Sequence, residues 1–451
     1  MKTLVSVIVF LLCGACFSQT PPYIQFTSVP GWGSTALLSG KVHNTSPGDH
    51  GVVVYIFVEE AGGWWNKPYA ASPVSVIRPD SVFTTETALA GLDQYATKII
   101  AFLTPLSWSP PVLSGAELPG ELFSYPYVVS CRPHGDRVIS WSGLEWVVKR
   151  SVGSTLLPIG PGPNIFNGSD TMVWVDSQQR LHLRIAKAGN KWHCTELIGK
   201  SSLGYNRYTF DVGSRVDLLD PNVIAGIFTW DDCSPLAIPP DNFYREIDFE
   251  FSRWGDPSNI NSQFVIQPYD IAGNMNRFNM NLAGIDHSVH FFEWMPDSIR
   301  FRSAWGDSSR SWKYANHSYI PHPGNENIRI NLHLFNAVPP LDPQDAELVL
   351  NSFLTGTSEE KIENENVRIF PNPFEQGCFI EVGLKIPGNP EIGILDPRGV
   401  CIKRMPGMLS AGKNILEWDG RAENGKPAEP GLYFLYLRDP VKTRYFKLVK
   451  I

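Results

Sequence analysis

The 451-residue chain is too long for one hydrophobic core and points to roughly three domains. Only 18% of residues are charged, while 14 Trp, 15 Tyr, 25 Phe, 38 Gly and 37 Pro indicate many short strands, many turns and little helix, so an all-β chain is expected. A formal charge of -7 with scattered Lys and Arg leaves no basic stripe for a phosphate backbone, which argues against a nucleic-acid partner.

The chain opens MKTLVSVIVFLLCGACFSQ: one Lys, an apolar run from Leu4 to Leu12, then small residues. This is the pattern of an export signal over residues 1–19, with cleavage near Ser18 or Gln19. The run is far shorter than the roughly 20 residues of a membrane span, so no transmembrane segment is expected after cleavage. A lipidated Cys16 is the lesser alternative, because the preceding CGA lacks a large aliphatic residue. Of the five Cys beyond the signal, none shows C-x-x-C spacing, and no metal or other cofactor is indicated. Cys378 with Cys401 is the expected disulfide.

Residues 22–123 read as short alternating strands bounded by Gly, Pro, Asn and Asp, an N-terminal β-sandwich module. Trp64 and Trp65 read as core, with a sugar platform as the rival reading. Residues 128–340 hold enough strands for two stacked antiparallel sheets, a central jelly roll. Residues 341–366 end in SEEKIENEN and read as an acidic linker. Residues 367–451 return to short strands, an Ig-like β-sandwich.

Within the central block, Arg245-Glu246-Ile247-Asp248-Phe249-Glu250-Phe251 alternates without interruption. On a strand this sets Glu246, Asp248 and Glu250 on one face and Ile247, Phe249 and Phe251 on the other. Taken without context, such a strand is most often a solvated sheet face. Three neighbouring acids repel one another, however, and raise each other's proton affinity, which is what an acid catalyst near neutral pH needs. Residues i and i+4 of a flat strand have Cα atoms roughly 13 Å apart, so the outer two carboxyls must lean together to act on one bond.

The segment and its surroundings resemble glycoside hydrolase family 16, whose signature is E-I-D-x-E on a concave sheet. Thr195-Glu196-Leu197, Leu203-Gly204-Tyr205, Gly226 to Asp231, Gln263, and the run from His287 through Trp294, Pro296, Asp297, Ile299 and Phe301 extend the resemblance over roughly residues 130 to 340. The resemblance implies a concanavalin A-like jelly roll and a retaining endo-β-glycanase acting on an extracellular polysaccharide. It makes Glu246 the nucleophile, Glu250 the acid/base and Asp248 the residue that tunes both. Trp230 and Trp254 are candidate sugar-stacking walls, with core packing as the alternative, and Gln263 and His287 are candidate hydrogen-bond donors to sugar hydroxyls. Two positions depart from the pattern: Arg245 stands where relatives carry an acid and invites pairing with Asp231 or Asp232, and His333 stands where relatives often have Trp. A non-catalytic glycan-binding or surface-adhesion protein, and a transglycosylase, remain open beside the hydrolase. No G-x-S-x-G elbow, P-loop or dinucleotide-binding Gly motif is present.

The last block resembles the C-terminal sorting domain of type IX secretion substrates through Pro371, Asn372 and Pro373, Asp396 and Gly399, Trp418, Asp419 and Gly420, Gly431 and Tyr433, and the closing KLVK. That resemblance implies the type IX secretion machinery as a partner, and a destination outside a Gram-negative cell or on its surface.

Overall fold

The computed structural model describes residues 20–153, 156–356, 367–384, 391–396, 400–405, 409, 412–438 and 443–451. It divides into two compact units, residues 1–355 and 356–451. The export-signal reading of residues 1–19 and the acidic run at 357–366 lie outside the described residues.

The first unit begins with β1 (Tyr23–Ser28), β2 (Leu38–His43), β3 (His50–Val58), β4 (Gly63–Lys67), β5 (Val74–Val76), β6 (Val82–Thr85), β7 (Lys98–Pro105), β8 (Ser114–Ala116) and β9 (Tyr127–Cys131). A sheet β1-β2-β6 packs on a larger sheet β8-β4-β3-β7-β9, with β5 beside β3. The runs Gly51 to Val58 and Ile99 to Leu103 are apolar on both faces because β3 and β7 lie centrally and are covered on both sides. Trp64 joins one of these cores and Trp65 is half-buried against the other, so both are packing residues. Because β9 pairs with β7, this module extends to Cys131, past the expected boundary at residue 123.

The jelly roll follows as β10 (Arg137–Trp141), β11 (Leu144–Val148), β12 (Val173–Val175), β13 (Leu181–Ala188), β14 (Lys191–His193), β15 (Thr195–Gly199), β16 (Arg207–Val212), β17 (Val223–Trp230), β18 (Ile247–Phe251), β19 (Ser262–Ile266), β20 (Met275–Phe278), β21 (Ser288–Trp294), β22 (Ile299–Trp305), β23 (Ser308–Tyr314), β24 (Asn327–Leu334) and β25 (Ala346–Thr355). One sheet runs β10-β11-β15-β24-β17-β18-β19-β20 and the other β12-β13-β25-β16-β21-β22-β23, with β14 beside β13. Their inner faces enclose a single apolar core.

The segment 346–355 corrects the linker reading. It forms β25 between β13 and β16, with Leu348, Leu350 and Phe353 buried in the core. The acidic composition downstream concealed a strand whose alternate residues are apolar, AELVLNSFLT. The jelly roll therefore closes at Thr355 instead of Pro340.

The second unit comprises β26 (Val367–Phe370), β27 (Cys378–Leu384), β28 (Glu391–Leu395), β29 (Cys401–Met405), β30 (Gly412–Trp418), β31 (Gly431–Arg438) and β32 (Thr443–Lys450), in sheets β26-β27-β30 and β29-β28-β31-β32. Several residues of the carboxyl-terminal resemblance have structural work here. Asn372 bonds the backbone of Lys447 and Val449, Asp396 accepts from the Val400 amide, and Trp418 fills the core. Gly399 lies outside the described residues.

The expected Cys378–Cys401 disulfide does not form. Cys378 is buried in β27 and Cys401 is exposed in β29, on different sheets, and both thiols are free. The disulfide is instead Cys131–Cys233, closing 102 residues and joining the end of β9 to the loop after β17. Replacing both Cys131 and Cys233 by Ser is expected to lower stability of the first unit by about 2–4 kcal/mol, because an open chain regains loop entropy on unfolding. Urea unfolding checks the loss, and peptide mapping without reductant checks the pairing.

Candidate functional site

The alternation of β18 determines where its acids point. Ile247, Phe249 and Phe251 are fully buried, and Phe249 makes edge contacts with Phe264 and Phe301 at 5.3 and 5.5 Å. With that face locked into the core, Asp248 and Glu250 turn to the opposite face. Glu246 stands just before the strand, after Tyr244 and Arg245, whose left-handed φ angles of 56° and 55° turn the chain into β18. All three carboxyls line one cavity of about 370 Å³.

Strand register builds the floor of that cavity. Glu250 of β18 faces Gly226 of β17, Gly226 faces Asn331 of β24, and Asn331 faces Glu196 of β15. A second row runs from Asp248 through Phe228 to Arg329. Gly226 has a physical requirement: a Cβ there would stand 2.7 Å from Asn331 Oδ1, which the Gly226 amide already donates to at 3.1 Å. The cavity thus runs across the strands, away from the acids toward β11.

Beyond the acids lies a buried ion network. Arg329 pairs with Asp232 and reaches Glu196 at 3.4 Å, and Lys149 meets Glu196 at 3.2 Å and the Gly160 carbonyl at 2.7 Å. Breaking such a network strands a buried charge. Trp230 stacks in parallel on Tyr244 at 4.1 Å and donates its indole N–H to Asp232 at 2.8 Å, making an aromatic wall. His333 also lines the cavity, and burial pushes it down to about 3, with Lys149 adding to the effect, so it is a neutral imidazole.

Burial raises the proton affinity of all three acids. Glu246 is pushed up to about 8 by desolvation and by the charge of Glu250, against a hydrogen bond from Asp248 and the charge of Arg329. Asp248 is raised well above the usual range by burial, by both neighbouring carboxylates and by its bond to Glu246. The hydrogen bond between the two favours the charged form of Glu246. Glu250 is raised by burial against the donated bond from Gln263 and the nearby Arg277 charge. The three titrate as one coupled group.

The other sequence candidates divide. Gln263 faces Glu250 across β18 and β19 and orients its carboxylate. Trp254 lies outside the cavity lining, in the loop after β18, with the Arg277 guanidinium 4.7 Å over its ring. His287 is a correction: it precedes β21 on the other sheet and pairs with Asp211 at 2.9 Å, far in the topology from the acid face. The step from β20 to β21 carries the chain to the opposite sheet, which residue type alone does not reveal. Arg245 pairs with Asp231 at 3.0 Å and bonds the His322 carbonyl. Sequence reasoning passed over Arg329, Asn331, Lys149 and Tyr244, and named Asp232 only as a possible partner of Arg245. The alternation Arg329, Asn331, His333 against Ile328, Ile330, Leu332 was a usable signal for β24.

The site and fold together define an all-β protein with a carboxylate-floored, aromatic-walled cleft on one sheet of a jelly roll. Among solved structures, the chain is similar to a laminarinase from Flavobacterium sp. UMI-01, with 10% identity, a TM-score of 0.36, and coverage of 47% of this chain and 91% of that one. It is also similar to a GH16 protein of the Bacteroides ovatus mixed-linkage glucan locus, solved with a product bound (13%, TM-score 0.34, 47% and 94%). A third is an immunostimulatory antigen and pseudo-β-1,3-glucanase of Mycobacterium tuberculosis (16%, TM-score 0.35, 47% and 90%). No protein-family model matches the chain, and no curated protein matches it.

The raised affinity of Glu246 has a sign in stability. A carboxyl that holds its proton more tightly when folded stabilises the fold at low pH, and that contribution is lost as pH rises from its ordinary 4.5 to about 8. The stability of the native chain relative to a Glu246→Gln variant is therefore expected to fall across this window and to be flat below it. Urea midpoints at four pH values read the difference, and a parallel pair of curves would contradict it.

Proposed function

We propose that the chain is a retaining glycoside hydrolase acting on an extracellular polysaccharide. The observation that carries the reading is the set of three carboxyls, two on one face of β18 and Glu246 just before it, acting on one another and sharing the floor of an aromatic-walled cavity. The parallel stack of Trp230 on Tyr244 offers a flat wall suited to the apolar face of a sugar ring in a β-glucan-like chain.

In this reading the Glu246 carboxylate attacks the anomeric carbon as the C–O bond to the leaving sugar breaks, and Glu250 gives its proton to the departing oxygen. The ester on Glu246 is then opened by a water that passes a proton to Glu250 and its oxygen to the anomeric carbon, freeing the Glu246 carboxylate. The Asp248 proton hydrogen-bonds Glu246 and stabilises its charge before attack and after release. Gln263 holds Glu250 in place. Two inversions at one carbon return the starting configuration. The final unit serves as a type IX secretion address in the same reading, and the protein works outside a Gram-negative cell or on its surface.

The test is hydrolysis of mixed-linkage β-glucan, laminarin, xyloglucan, agarose and carrageenan by the native chain beside Glu246→Gln and Glu250→Gln. Glu246→Gln is expected to abolish hydrolysis while circular dichroism stays unchanged, and Glu250→Gln to lower kcat by about 10²–10⁴-fold. The acid limb of kcat/KM is expected above the ordinary Glu value of 4.5, since Glu246 must lose a tightly held proton before it attacks. Retention is read by NMR of the first-formed anomer. Hydrolysis by Glu246→Gln at the native rate would refute the assignment, and binding without hydrolysis by the native chain would favour a glycan-binding protein.

A further inference from the structure

The cleft has an end. Its floor crosses β18, β17, β24 and β15 in sheet order, and at the β11 side it meets residues from outside the jelly roll. Phe57 and Lys98, facing partners on β3 and β7, line the cavity together with Glu59 and Thr97 of the N-terminal module. Arg132 and His134, in the joint between the module and the jelly roll, complete the lining there.

Several contacts hold this wall in place. The Gly160 amide donates to Glu59 at 2.9 Å, so the module grips the loop beside Lys149. His134 sits between Glu59 at 3.4 Å and Glu60 at 2.8 Å. Arg132 is buried and bonds the carbonyls of Ala96, Pro30 and Gly31. Arg150 of the jelly roll covers the Trp32 ring at 4.8 Å. On the opposite rim, Tyr127 donates to the Leu236 carbonyl at 2.9 Å and the Cys131–Cys233 disulfide ties β9 to the residue next to Asp232. The module is thus bonded to both rims of the jelly-roll cleft.

We propose that the N-terminal module is a fixed end wall of the cleft, so that the site receives the end of a glycan chain instead of a stretch within it. The proposal rests on the glycan reading above and replaces the expectation of internal cleavage. From β18 to β15 is three strand spacings, about 14 Å, room for about two or three sugar rings between the carboxyls and the wall. A cavity of about 370 Å³ is near the small end of ligand pockets and agrees with that size. The Lys98 ammonium, 5.0 Å over the Phe57 ring, is placed at this wall to donate to the terminal sugar's hydroxyls.

The experiment uses the full chain on the same five polysaccharides, with product sizes and viscosity followed from the first minutes. Chain-end action releases one short product from the start while viscosity falls slowly for each bond broken. A ladder of sizes with immediate loss of viscosity overturns the proposal. A second arm does not need catalysis: the Glu246→Gln chain is titrated calorimetrically with the same polymers in two length fractions. Chain-end binding gives a fixed number of protein molecules per polymer chain whatever its length. A number that grows with length overturns the end wall but leaves the hydrolase reading standing. Lack of hydrolysis by the native chain, with length-independent stoichiometry for the variant, has the reverse meaning, and failure both to cut and to bind any of the five overturns both. Lys98→Ala is expected to raise KM, or weaken binding by the Glu246→Gln chain, by about tenfold, the loss of one charged hydrogen bond, with the thermal midpoint unchanged. Unaltered affinity would remove Lys98 from the wall.

Discussion

Everything at the cleft depends on the burial of Ile247, Phe249 and Phe251. Phe249 and Phe251 interlock with Phe264, Phe292, Phe301 and His290 from strands of both sheets, packing that fixes the register of β18. A slip of one residue would carry three carboxyls into the core and three apolar side chains into water. The apolar face therefore holds the acids together against their mutual repulsion. Core packing supplies the energy that a charged cluster consumes, and the cluster's raised proton affinity is the sign of that opposition.

The same logic extends across the sheet. In β24, Ile328, Ile330, Leu332 and Leu334 hold the inner face, and Arg329, Asn331 and His333 are left to the cleft. In β17, Gly226 provides space beneath Asn331 that any side chain would fill. The ions beyond them, buried Lys149, Glu196 and Arg329 with half-buried Asp232, form one connected set, so each offsets the desolvation of the next. A rigid floor of this kind costs stability on its own, which is consistent with a cavity kept polar for a ligand instead of closed by apolar packing.

The N-terminal module has a part in the site that its own fold does not suggest. It is a complete sandwich with two apolar cores, and its aromatic pair Trp64 and Trp65 is used for packing. What reaches the cleft is the end of the central strands β3 and β7 that carries Phe57, Glu59 and Lys98, and the disulfide and the Glu59–Gly160 bond hold the module in place there. A mobile neighbouring module would leave the cleft open at both ends.

By itself the sequence determined the all-β class, the sandwich-like blocks and the facing of Glu246, Asp248 and Glu250, because period-two alternation and turn residues are local properties of the chain. Nearness to the acid strand in sequence and the resemblance of its surroundings also brought Trp230 and Gln263 into the candidate site, together with Trp254, which lies outside the cavity lining. Tertiary structure alone decided which sheet receives His287, which strand 346–355 becomes, which cysteines meet and where the cleft stops. Each of these is set by contacts between residues far apart in the chain: Cys131 with Cys233, Arg329 with Asp232, Glu59 with Gly160. Local patterns carry the direction of a side chain, but the partner it reaches depends on how strands are ordered in a sheet, and that order is a property of the whole packed chain.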